Sequence, residues 1–231
     1  MSELFTSAEQ MQKATNYNQW TFDLFSEYIR GDVLEVGCGV GSFTKLIVEH
    51  GGYDSLYCID ISAPAIDHIR KKDFAKGLRI ECIDLMDVEG SYDLIVCMNV
   101  MEHVENDSAF FSKLLGLLKK GGVLFHLVPS HKFLYSNFDV AAGHFRRYTK
   151  EMMNSFCLPE EVELLRQYYF NPIGALGYWA VYKLMKSGNI NDTKSEIGLF
   201  DKYIVPFSRK VLPLSSPIGI SLISIYRKKL T

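Results

Sequence analysis

Residues 35–43 read "EVGCGVGSF". They follow the apolar run "DVL" at 32–34 and carry glycines at 37, 39 and 41. An apolar run breaking into alternate glycines is a strand-to-helix turn, where missing Cβ atoms let a ligand approach the backbone. The dinucleotide fingerprint G-x-G-x-x-G fits Gly37 and Gly39, but its third position holds Ser42, and Gly41 comes one place early. No Lys-Ser or Lys-Thr pair follows, as a phosphate-binding P-loop requires. The turn alone is weak evidence, and its neighbours decide what it holds.

Working outward, "DVLEVG" (32–37), "SLYCID" (55–60), "LRIECID" (78–84), "YDLIVCM" (92–98) and "GVLFHLV" (122–128) are short apolar runs. Runs of this kind predict strands covered on both faces, as in a parallel sheet. Helical patterns alternate with them at 42–50, at 62–73 and at 106–119. Ser62 is the expected N-cap of the second, with Pro64 in its first turn, and "KKGG" closes the third. The alternation predicts an α/β, Rossmann-like, doubly wound sheet with right-handed connections.

After Pro129 the texture changes. Residues 130–148 read as a loop, 149–157 as a short helix capped by Thr149, and 160–170 as a strand. An apolar helix is expected at 173–186 and a helical stretch on both sides of Pro206 at 198–212. The final run, 218–228, reads as a strand inside the sheet. No domain boundary is expected: 1–231 is one domain, with a helical lid at 1–31, a core at 32–129 and an acceptor-side region at 130–231.

The chain has 231 residues, 48% of them apolar and 23% charged, a globular composition. A net charge of -2 gives no overall attraction to nucleic acid, so none is expected as partner. The polar start predicts no signal peptide, and no apolar run reaches the ~18 residues of a membrane span. Five cysteines without CxxC spacing read as reduced thiols of a cytoplasmic protein.

The acids give the turn its chemistry. Glu35 stands two residues before Gly37; it would repel a pyrophosphate and suits an amine, directly or through water. Asp60 ends the second strand, where an acid takes both hydroxyls of a ribose. Asp84 ends the third, where it can accept from the adenine amino group, Asp87 being the other acid within one turn. Amine, ribose and adenine without phosphate describe S-adenosylmethionine (SAM) better than NAD.

The motifs "VLEVGCGVGSFT", "CIDIS", "IDLMD", "YDLIVCMNVMEHVEN" and "LLGLLKKGGVLFHLVP" together resemble the class I SAM-dependent methyltransferases in order and spacing over residues 32–129. The resemblance implies a seven-stranded sheet whose last strand is antiparallel between its neighbours. It implies SAM as cofactor, with S-adenosylhomocysteine (SAH) as product. It places Gly37, Cys38, Gly39 and Gly41 beneath the methionine moiety, Asp60 on the ribose and Ile61 on the adenine. Asp84 and Leu85 become the adenine-amine pair. Met98, Asn99 and Val100 face the methionine end, and His103 lines the pocket. Plain alternatives stand beside these: Gly41 for helix–sheet packing, Asp84 for a turn cap, His103 for an interior histidine, and Glu102 for a solvent-facing or helix-capping acid.

The loop "GHFRRYT" (143–149), the start "YNQW" (17–20) and "NPIGALG" (171–177) resemble a bacterial subgroup associated with glycosyltransferases and cell-envelope biosynthesis. That resemblance puts Tyr17 and Trp20 on a helix lidding the cofactor, although aromatics at this spacing also suit a core. The loop gathers His144, Arg146, Arg147 and Tyr148 on the acceptor side; its plain reading is a solvated arginine pair before a capped helix. His144 is the first choice for a base acting on a hydroxyl acceptor, with His131 second and His126 structural or pocket-lining. The arginines suit an anionic acceptor. A metal at His126 and His131 is not expected from their spacing. The acceptor class is a small molecule, a saccharide or a lipid-linked precursor, with O-methylation favoured. The apolar helix at 173–186 reads first as an oligomer contact, such as a homodimer's, or a cover over the acceptor pocket. Its second reading is peripheral membrane contact through Tyr178, Trp179 and Tyr182. The rival functions are an NAD(P)-dependent oxidoreductase and a non-catalytic SAM-binding regulator.

Overall fold

The computed structural model describes residues 12–157, 160–180, 198–211 and 216–230. The seven apolar runs form the strands β1 (Asp32–Val36), β2 (Ser55–Asp60), β3 (Arg79–Cys82), β4 (Tyr92–Met98), β5 (Leu118–Pro129), β6 (Val162–Phe170) and β7 (Ser221–Lys228). They make one sheet in the order β3-β2-β1-β4-β5-β7-β6. β7 pairs antiparallel with both β5 and β6, and the pairs β1–β2, β1–β4, β2–β3 and β4–β5 are parallel. The expected sheet, with its last strand reversed between two neighbours, is the one observed.

Strand alternation explains why the runs are apolar throughout. Val33, Val96 and Phe125 belong to the core on one face, and Leu34, Ile95 and Leu124 to the core on the other. Each such side chain, fully withdrawn from water, contributes about 1.5–3 kcal/mol.

The helices follow in chain order: α1 (Thr15–Phe22), α2 (Ser42–His50), α3 (Ala63–Arg70), α4 (Asp107–Gly116), α5 (Asn137–Ala141), α6 (Lys150–Ser155), α7 (Pro172–Tyr178) and α8 (Val205–Val211). Ser62 caps α3 by accepting from the Ala65 amide, and Thr149 caps α6 by accepting from Met152. α8 carries Pro206 as its second residue. A π-helical stretch, Phe200–Ile204, leads into it.

Three expectations change. The helix at 62–73 stops at Arg70, and Asp73–Ala75 forms a separate 3-10 turn. The helix at 106–119 stops at Gly116, and "KKGG" lies inside β5, because Leu118 already pairs with Tyr92. The loop at 130–148 contains α5 and a 3-10 turn, Lys132–Leu134. The lid residues 1–11 and the part of the apolar helix from 181 on, with Tyr182, lie outside the described residues.

α1 has no side-chain cap of its own, since Ala14 precedes it. Asp201, buried, supplies one from 185 residues away. Its Oδ2 accepts from the Asn16 amide at 3.0 Å and its Oδ1 from the Tyr17 amide at 2.8 Å. The Asn16 side chain donates back to the Asp201 carbonyl at 3.1 Å.

Candidate functional site

The strand order reverses between β1 and β4, and a crevice opens at the carboxyl ends of the strands there. A cleft at that point is lined by Tyr17, Asn18 and Thr21 of α1, by Glu35 through Val40, and by Met98, Asn99 and Leu127. The glycine turn is built for close approach. Gly37, Gly39 and Gly41 all have positive φ, and a Cβ on Gly37 would sit 2.3 Å from Val100 Cγ2.

Gly41 has a different job. Its φ is +85°, and an added Cβ would meet Ile69 Cδ1 at 2.7 Å and Phe74 Cζ at 3.0 Å. It is absent from the cleft wall, so the packing reading describes its surroundings.

Glu35 is buried, and its Oε2 accepts from Thr44 Oγ1 at 2.6 Å. Burial pushes its carboxyl up to about 7, the Thr44 and Cys58 hydrogen bonds pull the other way, and the charge of Asp60 adds to the rise. Asp60 Oδ2 accepts from the Gly39 amide at 2.9 Å and Oδ1 from the Ser62 amide at 2.8 Å. Each oxygen keeps a lone pair, so the carboxylate is aimed by the turn without being saturated. Ile61 beside it is 75% exposed. Asp84 caps the following 3-10 turn through the Met86 amide at 2.8 Å, and the Leu85 side chain is buried in the core.

Of the residues expected around the cofactor, the structure brings Tyr17, Glu35, Gly37, Cys38, Gly39, Met98 and Asn99 into one cleft. Asn99 holds a left-handed φ of 52° where β4 ends. Trp20 lies on α1 but is buried with its ring centroid 4.4 Å from Phe170, so it packs into the core and is not part of the cleft wall. Asn18 and Thr21 were not anticipated. Thr21 stands four residues after Tyr17 and three after Asn18, so both share a helical face with it, which is the signal that could have found them.

His103 lies away from this cleft wall, with its ring 4.7 Å from that of His144. Burial lowers it to about 4, and the neighbouring His144 adds to the drop. Glu102, expected toward solvent or as a cap, is fully buried with neither carboxylate oxygen hydrogen-bonded. Asn106 caps α4 instead, accepting from Ala109. Burial pushes Glu102 up to about 8, against the charge of Arg147.

The "GHFRRYT" loop is anchored by Asp139. Burial opposes its ionisation, but hydrogen bonds from His144, Arg147 and Tyr178 and the Arg147 charge hold it at about 2. His144 Nδ1 lies 2.8 Å and Arg147 Nε 2.9 Å from its Oδ1. An ionised carboxylate only accepts, so Nδ1 of His144 donates to it and Nε2 is the ring nitrogen turned away from Asp139. Arg147 is buried on Asp139 and over the Tyr178 ring, and Arg146 pairs with Asp107 at 2.6 Å. Neither guanidinium is a free fork for an anion, and the plain solvated reading of the pair fails as well. Tyr148 is fully buried; its hydroxyl donates at 3.2 Å toward Met101 O and Asp107 Oδ2, which puts it beneath the loop and not on an acceptor. His126 is buried against Phe111 and lowered to about 3 by burial alone, and His131 stacks on Tyr169.

Residues 34–124, from β1 into β5, match the family model described as a methyltransferase domain. A solved S-adenosylmethionine-dependent methyltransferase from Clostridium acetobutylicum superposes with a TM-score of 0.59 at 11% identity, over 93% of this chain and 91% of that one. The fold is that of the SAM-dependent methyltransferases. Among curated relatives, the malonyl-[acyl-carrier protein] O-methyltransferase of Acetivibrio thermocellus is 30% identical over 41% of this chain and 34% of its own length. The ubiquinone biosynthesis O-methyltransferase of Coxiella burnetii is 27% identical over 44% of each. The match thus spans less than half of either relative. Within this methyltransferase fold, the cleft residues Glu35 through Val40, Met98 and Asn99 lie inside the matched stretch, whereas those of α1, Leu127 and the His144 loop lie outside it. Among the described residues no helix is long and apolar enough to cross a membrane.

Proposed function

We propose that this chain is a SAM-dependent methyltransferase that methylates a hydroxyl of a small-molecule, saccharide or lipid-linked acceptor. The observation that carries this is the pair Glu35 and Asp60 around a glycine turn that fits no phosphate motif. SAM brings an ammonium and a sulfonium in place of phosphates, and an acid under the turn favours it over NAD. Asp60 takes the ribose hydroxyls, Ile61 the adenine face, and Asp84 with the Leu85 backbone the adenine amine. Glu35 serves the ammonium, and the Gly37–Gly39 turn with Met98 and Asn99 holds the methionine chain. Tyr17 covers it from α1.

The reaction is an in-line displacement, and holding oxygen, methyl carbon and sulfur in line supplies on the order of 7–11 kcal/mol. His144, fixed by Asp139, promotes loss of the acceptor hydroxyl proton. The O-methyltransferase names of the two curated relatives support an oxygen acceptor.

Calorimetry tests this reading. SAM and SAH should bind and NADH should not, and Asp60→Ala should weaken SAM at least tenfold, about 1.4 kcal/mol. Binding of NADH without SAM would reverse the assignment. His144→Ala should spare SAM affinity while SAH release with acceptor collapses; unchanged release would remove His144 from the chemistry.

A further inference from the structure

Glu102, His103 and His144 each offer one ligand atom, and those atoms all lie within 4.8 Å of one another. The sequence spacing hides this, because the third member is 41 residues from the second; the fold brings them together. A second observation points at a cation. The Glu102 carboxylate is fully buried, and neither of its oxygens has a hydrogen-bond partner. A buried carboxylate left alone is costly, and metal coordination is one of the few arrangements that satisfies it.

The surroundings are those of an oriented ligand set. Asp139 holds Nδ1 of His144 at 2.8 Å, which leaves Nε2 for a metal in the carboxylate–histidine–metal manner. Asp139 is itself fixed by the Ser136 amide at 2.9 Å, by Arg147 Nε at 2.9 Å and by the Tyr178 hydroxyl at 2.8 Å. Glu102 and His103 share one 3-10 turn, Met101–His103. The two ligand segments are stitched together by the Phe145 amide donating to the Glu102 carbonyl at 2.8 Å. A tetrahedral ion would draw the three atoms to about 3.3 Å apart, a contraction within side-chain rotation. Two imidazoles and one carboxylate select zinc, manganese, cobalt or ferrous iron over calcium or magnesium. His126 and His131, the pair weighed from the sequence, take no part.

We propose that Glu102, His103 and His144 bind one divalent transition-metal ion, whose open position takes the acceptor hydroxyl. The role of the ion rests on the methyltransferase reading; its binding does not. The coordinated hydroxyl releases its proton to solvent, and an oxygen lone pair forms the new bond to the methyl carbon. The carbon–sulfur bond breaks with its electron pair on sulfur, the sulfonium becomes a neutral thioether, and the ion keeps its charge.

The test uses full-length protein stripped with chelator, then titrated with zinc, manganese and cobalt(II) by calorimetry. Visible absorption of the cobalt adduct provides a spectroscopic reading, and SAM affinity is measured on the same samples. One equivalent should bind, and Glu102→Gln, His103→Asn and His144→Asn should each weaken it at least tenfold and alter the cobalt spectrum. His50→Gln, at an exposed histidine, should leave both unchanged. His144→Asn serves as the independent variant should Glu102→Gln not fold. Absence of stoichiometric binding, or binding indifferent to all three substitutions, overturns the site. Metal binding without SAM binding would keep the site and remove the methyltransferase reading, so the two failures are distinguishable.

Discussion

Glu35 is a carboxyl whose proton is worth free energy. Its value in an unfolded chain is near 4.5, and burial raises it to about 7 in the fold, beside Thr44, Cys58 and the charge of Asp60. Between those values the folded protein holds a proton that the unfolded chain has lost. The stability it contributes is therefore complete below about pH 4.5 and lost as pH rises through 7, about 3 kcal/mol in all. Glu35→Gln should gain stability relative to wild type across pH 5 to 8, read as a growing difference in Tm; a constant difference would sink the assignment. An ammonium near this group favours its ionised form, so SAM affinity should rise over the same range in wild type and not in the variant. Gly41→Ala should cost about 1–3 kcal/mol in urea melts, because the φ is left-handed and Ile69 is in the way. Single residues differed in how far the sequence revealed them. The acids at strand ends were legible because strand ends are fixed by pattern. The burial of Glu102 was not, because an unpaired interior carboxylate runs against the ordinary rule and depends on a loop forty residues on.

At the scale of elements, the sheet was readable because both-faces-buried strands are apolar without alternation. β5 shows the limit. "KKGG" has the composition of a helix stop, yet Lys119 bonds Asp32 at 2.6 Å and Asp93 at 2.7 Å, and the strand starts there. The loop and helix α5 were opaque for a similar reason: their organiser, Asp139, gathers partners from Ser136 to Tyr178. Removing that carboxylate strands the Arg147 charge in the interior. Asp139→Ala should cost about 3–5 kcal/mol by denaturation and expose the 136–148 stretch to protease, whereas Arg146→Ala, at a partly exposed pair, should cost under about 1 kcal/mol. Equal losses would mean that the loop is held by something other than this carboxylate.

For the molecule as a whole, one wall of the cleft comes from Tyr17, Asn18 and Thr21 and the capping group of that wall from Asp201. The sequence could suggest a helix at Tyr17, but not that Asp201 would complete it, since no local pattern links positions so far apart. Asp201→Ala should quicken amide exchange in α1 and loosen SAH several-fold while leaving the sheet unaltered; exchange unchanged in α1 would show the cap to be dispensable. The arrangement also sets a clock on synthesis. While Asp201 is still in the ribosome, the nascent chain has β1 to β5 but not the carboxylate that caps the helix roofing the crevice, so competence to retain a ligand would arrive only after that residue has emerged.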